Sequence, residues 1–175
     1  MAYVLAVALA VLVVTFISLG YMTKKYAFAP LPAEVKIPDY PANATEIEHE
    51  EYFAALGFRK VVQAAHWACL RRGFWQDLET GKSLIGKRNM GELLALVHSE
   101  VSEALQGHRT NAMDEKLPHR PALEVELADA VIRIADIAGA HNLDVAGAIQ
   151  EKLRYNATRP DFNIENRKGP NGKKY

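Results

Sequence analysis

Between Leu93 and Leu105 the chain carries a helical apolar pattern with a carboxylate set inside it. At about 100° per residue, Leu93, Val97, Val101 and Ala104 share one face, and Glu100 falls between Leu93 and Leu96 on that face. A lone carboxylate there costs several kcal/mol or takes up a proton. Any fold of this chain must therefore bring a compensating group to Glu100. Glu103, three residues on, projects from nearly the same side.

The surrounding sequence supplies helices that could do so. Thr45 with Glu48 forms a capping-box pattern, and a helix is predicted over about 46–72, with Phe53, Leu56, Val61, Val62, Ala65 and Leu70 as its apolar positions. The stretch GFWQDLETGKSLIGKR reads as a loop. Asn89 caps the next helix, to about 107, with Glu92 three residues on. HRTNAMDEKLPHRP reads as a second loop. A third helix is predicted over about 122–141, and Asp144 caps a fourth, which Pro160 ends near 158. The third helix has two apolar stripes: Leu123, Leu127, Ala130, Val131, Ile134 and Ala138 on one side, and Val125, Ala128, Ile132 and Ala135 on the other. A polar seam of Glu126, Asp129, Arg133 and Asp136 runs between them. A helix apolar on two sides is packed on two sides, one against its own bundle and the other against the rest of the domain or a second subunit. β-branched runs are few beyond the N-terminus, so the expected fold class is all-α.

Residues 2–22 contain no charge. Twenty-one residues at 1.5 Å each span about 31 Å, the thickness of a bilayer's hydrocarbon core. A single transmembrane helix over 1–22 is expected. A cleaved signal peptide, suggested by AFA at 27–29, is the rival, but a basic leading region is missing and Lys24 and Lys25 follow the run. The positive-inside rule then puts the C-terminal domain in the cytoplasm. Residues 23–45, with four prolines, read as a linker, and residues 46–175 as the helical domain with a basic Gly/Pro-rich tail. The 21 basic and 21 acidic residues cancel, so charge gives no reason to expect a nucleic-acid polymer as partner. The single cysteine, Cys69, excludes an internal disulfide.

Two carboxylate pairs stand out, Glu100 with Glu103 and Glu126 with Asp129, each spaced i, i+3. If their helices pack antiparallel, four acids converge. Their combined charge would be balanced by two Mg²⁺ ions, with Mn²⁺ as a substitute, because oxygen-rich sites select hard cations. A metal pair can hold a phosphate and activate a water. Carboxylates three apart are also common on solvated helix faces. Two such pairs, each bordering an apolar stripe, set the two readings on equal terms. A di-iron bundle would need Glu-x-x-His, and neither pair has it.

The segments EVSE at 100–103 and ELAD at 126–129, followed by KLRYNATRPD at 152–161, resemble the all-α nucleoside triphosphate pyrophosphohydrolases of the MazG-like and dimeric dUTPase-like superfamily. The likeness covers roughly 85–175, and 46–72 only by helix pattern. It implies a four-helix bundle, usually dimeric or tetrameric, that requires Mg²⁺ and cleaves a nucleotide between its α- and β-phosphates. On these positions Glu100, Glu103, Glu126 and Asp129 would hold metal, and Glu103 would also orient the attacking water as general base. Lys152, Asn156 and Arg159, spaced i, i+4, i+7, would contact phosphates. The N-terminal membrane segment departs from the soluble form of that family.

Base recognition is less marked. His66, Trp67 and Trp75 could stack on a nucleobase, although aromatic residues on bundle helices more often belong to the core. Cys69 reads as a small buried hydrophobe, and His98, His108 and His119 as surface residues. Asp136 reads as an ion-pair partner of Arg133. The resulting expectation is a membrane-anchored, Mg²⁺-dependent nucleotide pyrophosphohydrolase. The alternative is a membrane-anchored helical interaction or nucleotide-sensing module without turnover.

Overall fold

The computed structural model describes residue 43, residues 45–170 and residue 172. The uncharged run at 2–22, and with it the expected membrane span and its orientation, lies outside the described residues, as does nearly all of the linker. Among the described residues no helix is long and apolar enough to cross a membrane.

The described chain is all-α. Its helices are α1 (Glu46–Arg71), α2 (Met90–Thr110), α3 (Ala122–Ala140), α4 (Val145–Thr158) and a short α5 (Ile164–Lys168), with a 3-10 turn at Pro160–Phe162. Local chemistry sets their ends. The Thr45 hydroxyl accepts from the Glu48 amide, and the Glu48 carboxylate accepts in return from the Thr45 amide at 2.8 Å. The Asn89 side chain accepts from the Gly91 amide at 2.7 Å, and Asp144 from the Gly147 amide at 3.0 Å. Asn111 ends α2 in the left-handed region, at φ 50°. The tail departs from expectation. Asn163 caps α5 through the Glu165 amide at 2.8 Å, and the Asn166 amide group donates back to the Pro160 carbonyl at 2.6 Å, so these residues fold into a compact hook.

Packing runs in series: α3 lies against both α2 and α1, and α4 lies against α1. Backbone hydrogen bonds across the α2–α3 loop hold that hairpin. Between α2 and α3 the Ala122 amide donates to the Ala112 carbonyl at 2.9 Å, and the Asp114 amide to the Arg120 carbonyl at 3.0 Å. Gly107 permits the close approach there, since a Cβ on it would lie 2.9 Å from the Ala122 Cβ. At the other crossing a Cβ on Gly139 would lie 2.5 Å from the Cβ of His66, so α1 and α3 nearly touch.

Close crossings change which residues are inside. The buried positions of α3 are Ala130, Ala135, Ile137, Ala138 and Ala140, whereas Leu123, Leu127, Val131 and Ile134 of the expected core stripe are exposed. On α2, Leu93, Glu100, Ala104 and Gly107 are buried, and Val101, expected on that face, is exposed together with Leu94 and Leu105. On α1, Phe53 and Val61 are exposed, and Ala55, Arg59, Ala65 and His66 are buried. Small side chains fill the helix crossings because backbones that approach closely leave no room for leucine. The larger apolar core forms instead beneath the α1–α2 loop, around Trp75, Leu93 and Ile137, with Cys69, Leu70, Ile85 and Met90 against it.

Candidate metal centre and adjoining cavity

Three of the four expected acids converge. Glu100 and Glu103 from α2 and Glu126 from α3 each place a carboxylate oxygen so that all three oxygens lie within 4.8 Å of one another. Glu100 is buried, Glu126 partly buried and Glu103 exposed. The fourth, Asp129, lies outside that trio and lines a cavity beside it.

The group that compensates Glu100 is Arg133. Its Nε donates to the Glu100 carboxylate, and the guanidinium stays partly exposed at its outer edge. This corrects the expected pairing of Arg133 with Asp136. The charge balance expected from metal alone is thereby changed: of the converging acids only Glu100 is buried, and an arginine offsets one charge.

The trio still carries excess negative charge. Partial burial, a hydrogen bond with Glu100 and the charges of Glu103, Glu100 and Asp129 raise the Glu126 carboxyl above its ordinary range. A bound cation would relieve the same clustering of negative charge that raises Glu126. The donor set is all oxygen, which suits Mg²⁺ or Mn²⁺ and not iron held by histidine. Glu103 is oriented by Ser99, one turn earlier, whose hydroxyl donates to its Oε1 at 2.9 Å.

Beside the acids is a cavity of about 330 Å³, within the size range of small-molecule sites. Asp129, Arg133, Asp136, Ile132 and Ile137 of α3 line it, with Leu93 and Leu96 of α2, Cys69 of α1, and Phe74 and Arg88 of the α1–α2 loop. Phe74 is exposed, at 59 %. At the back, Asp136 accepts from the His66 Nδ1 at 2.7 Å and from the Trp75 Nε1 at 2.9 Å. His66 and Trp75 are thus buried and committed to Asp136, and neither they nor the exposed Trp67, which stacks under Arg71 at 4.5 Å, line the cavity. Burial, with the charge and hydrogen bond of Asp136, pushes the Cys69 thiol up to about 12. It is therefore an inert thiol, half-buried rather than fully enclosed.

The α4 residues lie elsewhere in the chain. Lys152 is exposed above the Tyr155 ring at 4.8 Å. Arg159 is held by Asp161, Nε to Oδ1 at 2.9 Å, and stacks on Phe162 at 4.4 Å. Asn156 and Arg159 line a separate groove toward the tail, which Lys152 does not reach. The Asn156 Oδ1 is buried without a hydrogen-bond partner among the described residues. Since α4 packs on α1, this segment stands two helices away in packing order from the α2–α3 acids. Arg154 is paired with Glu51 of α1, Nε to Oε2 at 2.5 Å. His98, His108 and His119 are exposed, as expected.

Sequence reasoning missed Phe74, Arg88 and Arg133. For Arg133 a signal existed: it is seven residues after Glu126, hence on the same helical face. Phe74 and Arg88 come from a loop whose return path no periodicity records. No protein family, curated protein or solved structure matches the chain.

Proposed function

We propose that the chain hydrolyses a nucleoside triphosphate or related nucleotide between the α- and β-phosphates, giving a monophosphate and pyrophosphate, with Mg²⁺ held by Glu100, Glu103 and Glu126. The observation that carries the reading is the convergence of three carboxylate oxygens within 4.8 Å, linked through Arg133 to a cavity that offers guanidinium groups and an aromatic ring. The choice of bond rests on the resemblance of EVSE, ELAD and KLRYNATRPD to the MazG-like pyrophosphohydrolases, and so does the proposal that the helices belong to a four-helix bundle of that type.

A divalent ion bound there would supply charge to polarise a phosphoryl oxygen and acidify water. The protein's own groups do the rest. Glu103 is solvent-facing and held by Ser99 through one oxygen, so its other oxygen is free to take a proton from water. Arg133 is partly exposed beyond its Glu100 bond and has nitrogen donors left for a phosphate oxygen. The cavity receives the base, with Phe74 as a stacking surface and Arg88 as a donor. Asp129, at the junction of cavity and acids, completes the ligand set.

The contact of Lys152, Asn156 and Arg159 with phosphates at these acids is assigned to another copy of the chain, since α4 packs chiefly on α1. A homo-oligomer is therefore part of the proposal, and residues 2–22 are proposed to tie it to the bilayer with the domain on the cytoplasmic side. The arginine–aspartate pairing at 159 and 161 favours the second reading, a nucleotide-sensing module without turnover, because it leaves Arg159 already neutralised. Pyrophosphate release, measured for the full-length chain in mild detergent with Mg²⁺ across a panel of nucleoside triphosphates, decides between them. Release above background that depends on Glu126 supports hydrolysis. Tight nucleotide binding with no release supports the sensing module.

A further inference from the structure

Asp136 is the meeting point of three elements. Its Oδ1 accepts from His66 of α1 at 2.7 Å and from the Trp75 indole at 2.9 Å, and its Oδ2 accepts from the same indole at 2.9 Å. His66 and Trp75 are each 2 % exposed. The Trp75 ring is gripped edge-on by His66 and by His141, with centroids 6.0 Å away in both cases. Its face is covered by Arg88, whose guanidinium lies 5.3 Å from the ring.

Phe74 and Arg88 are the two cavity-lining residues that the loop supplies. Phe74 directly precedes Trp75 in the chain, and Arg88 rests on Trp75 and donates to the Phe74 carbonyl at 3.5 Å. The backbone that carries the exposed phenyl ring is thus anchored beside a buried indole, which is held in turn by one carboxylate. Both oxygens of that carboxylate already accept from protein donors, which commits it to holding the loop.

We infer that Asp136 is the positioning residue of the cavity, setting Phe74 and Arg88 through Trp75 so that a planar heteroaromatic ring can seat between them. The inference rests on the reading of the cavity as the base site of a nucleotide. The residue type follows from hydrogen-bond inventory. His66 and Trp75 both present N–H groups and require an acceptor-only partner. An asparagine at 136 would set an amide N–H against one of these donors, and an apolar residue would leave both donors buried and unpaired.

The test uses the full-length chain in mild detergent and three measurements: calorimetric binding of α,β-methylene nucleoside triphosphates with Mg²⁺, Mn²⁺ binding by electron paramagnetic resonance, and pyrophosphate release. Asp136→Asn should weaken analogue binding at least about tenfold, with Mn²⁺ affinity within about twofold of the parent, since the acids do not depend on this link. Trp75→Phe, which keeps the ring and removes the N–H, should weaken the analogue comparably. The double variant should be no weaker than Asp136→Asn alone, because both break one connection. Trp75→Phe carries the test if Asp136→Asn does not fold. Unchanged analogue binding, equal loss of analogue and Mn²⁺, or additive effects in the double variant would each overturn the role of Asp136. So would a parent chain that binds no analogue. A parent that binds the analogue in an Asp136-dependent way but never releases pyrophosphate refutes the hydrolysis and leaves the positioning role standing.

Discussion

Replacing Glu126 by glutamine should make the protein more stable without metal and less stable with it. The carboxylate oxygens of Glu100, Glu103 and Glu126 lie within 4.8 Å of one another. Two unit charges at that spacing repel by about 1 kcal/mol in water-like surroundings and by about 3.5 kcal/mol at an effective dielectric near 20. Glu126 is only partly buried and Arg133 offsets part of the charge, so the relief is nearer the lower figure, about 1–2 kcal/mol. For a domain of this size that raises the apo midpoint by roughly 3–6 °C. Divalent metal at a hundredfold excess over its dissociation constant stabilises the parent by about 2.7 kcal/mol, and the variant forfeits most of it. The two melting curves therefore exchange order between EDTA and Mg²⁺. Circular-dichroism melts of the full-length chain in detergent measure this directly. A variant less stable than the parent in EDTA, or one that gains as much from Mg²⁺, would refute the shared-charge account of the site.

The same pair carries a pH signature. Because the folded-state value of Glu126 lies above the ordinary 4.5, the folded parent retains a proton that the unfolded chain has lost as pH rises through that window. Stability from this group falls over the same window. In EDTA the advantage of Glu126→Gln should grow as pH rises above about 4.5 and vanish below it, where Glu126 is protonated in both states.

Four further outcomes are expected. Glu103→Gln should slow pyrophosphate release by on the order of a hundredfold with the midpoint in EDTA unchanged or raised, read by coupled assay and melts. Arg154→Ala should cost about 1 kcal/mol of stability by breaking the Glu51 pair between α1 and α4, with release per folded chain unchanged, read by melts and coupled assay. Gly139→Ala should destabilise by about 1–3 kcal/mol or more, because the added methyl meets His66 across the α1–α3 crossing; a melt within a degree of the parent would contradict that contact. Leu127→Lys should abolish chemical cross-linking between copies while leaving helix content intact, since it puts charge in the exposed apolar stripe of α2 and α3.

What could be read from the sequence follows from how local each determinant is. Helix starts were legible because Thr45, Asn89 and Asp144 bond amides two or three residues away. The trio of acids was legible because i, i+3 spacing fixes Glu100 and Glu103 on one side of α2 and a single hairpin brings Glu126 to them. Asp136 was misassigned because an arginine three residues off is the obvious local partner, whereas its real donors lie 70 and 61 residues away. The core was misplaced for a related reason. Apolar periodicity ranks leucine and valine above alanine and glycine, yet Gly107 and Gly139 let the backbones approach so closely that the small residues take the interior. The series packing, and with it the distance of α4 from the acids, depends on which helix pairs with which, and periodicity carries no such information.

The exposed stripe and the acidic site divide the α2–α3 hairpin between them. On α2 the buried face runs through Leu93, Glu100 and Ala104. Leu94, Val101 and Leu105 lie about 100° to one side of it and Glu103 about 80° to the other. On α3 the face toward α2 includes Glu126, Ala130 and Ile137. Leu127, Val131 and Ile134 lie to one side, and Asp129, Ile132 and Asp136 to the other. For antiparallel helices these senses coincide, so these six exposed large residues, from Leu94 to Ile134, form one outer surface and the acids with their cavity form the opposite one. Roughly half of each of those side chains is exposed, which amounts to on the order of 500–600 Å² of apolar area, the upper end of what a monomer ordinarily leaves bare. Two such faces together approach the area at which specific association becomes stable. A second copy seated on this surface would cover the stripe without obstructing the cavity, and the copy that presents Lys152, Asn156 and Arg159 to the acids would approach from the other side, as a higher oligomer allows. The protein would then be able to associate through one side of the hairpin while binding nucleotide on the other.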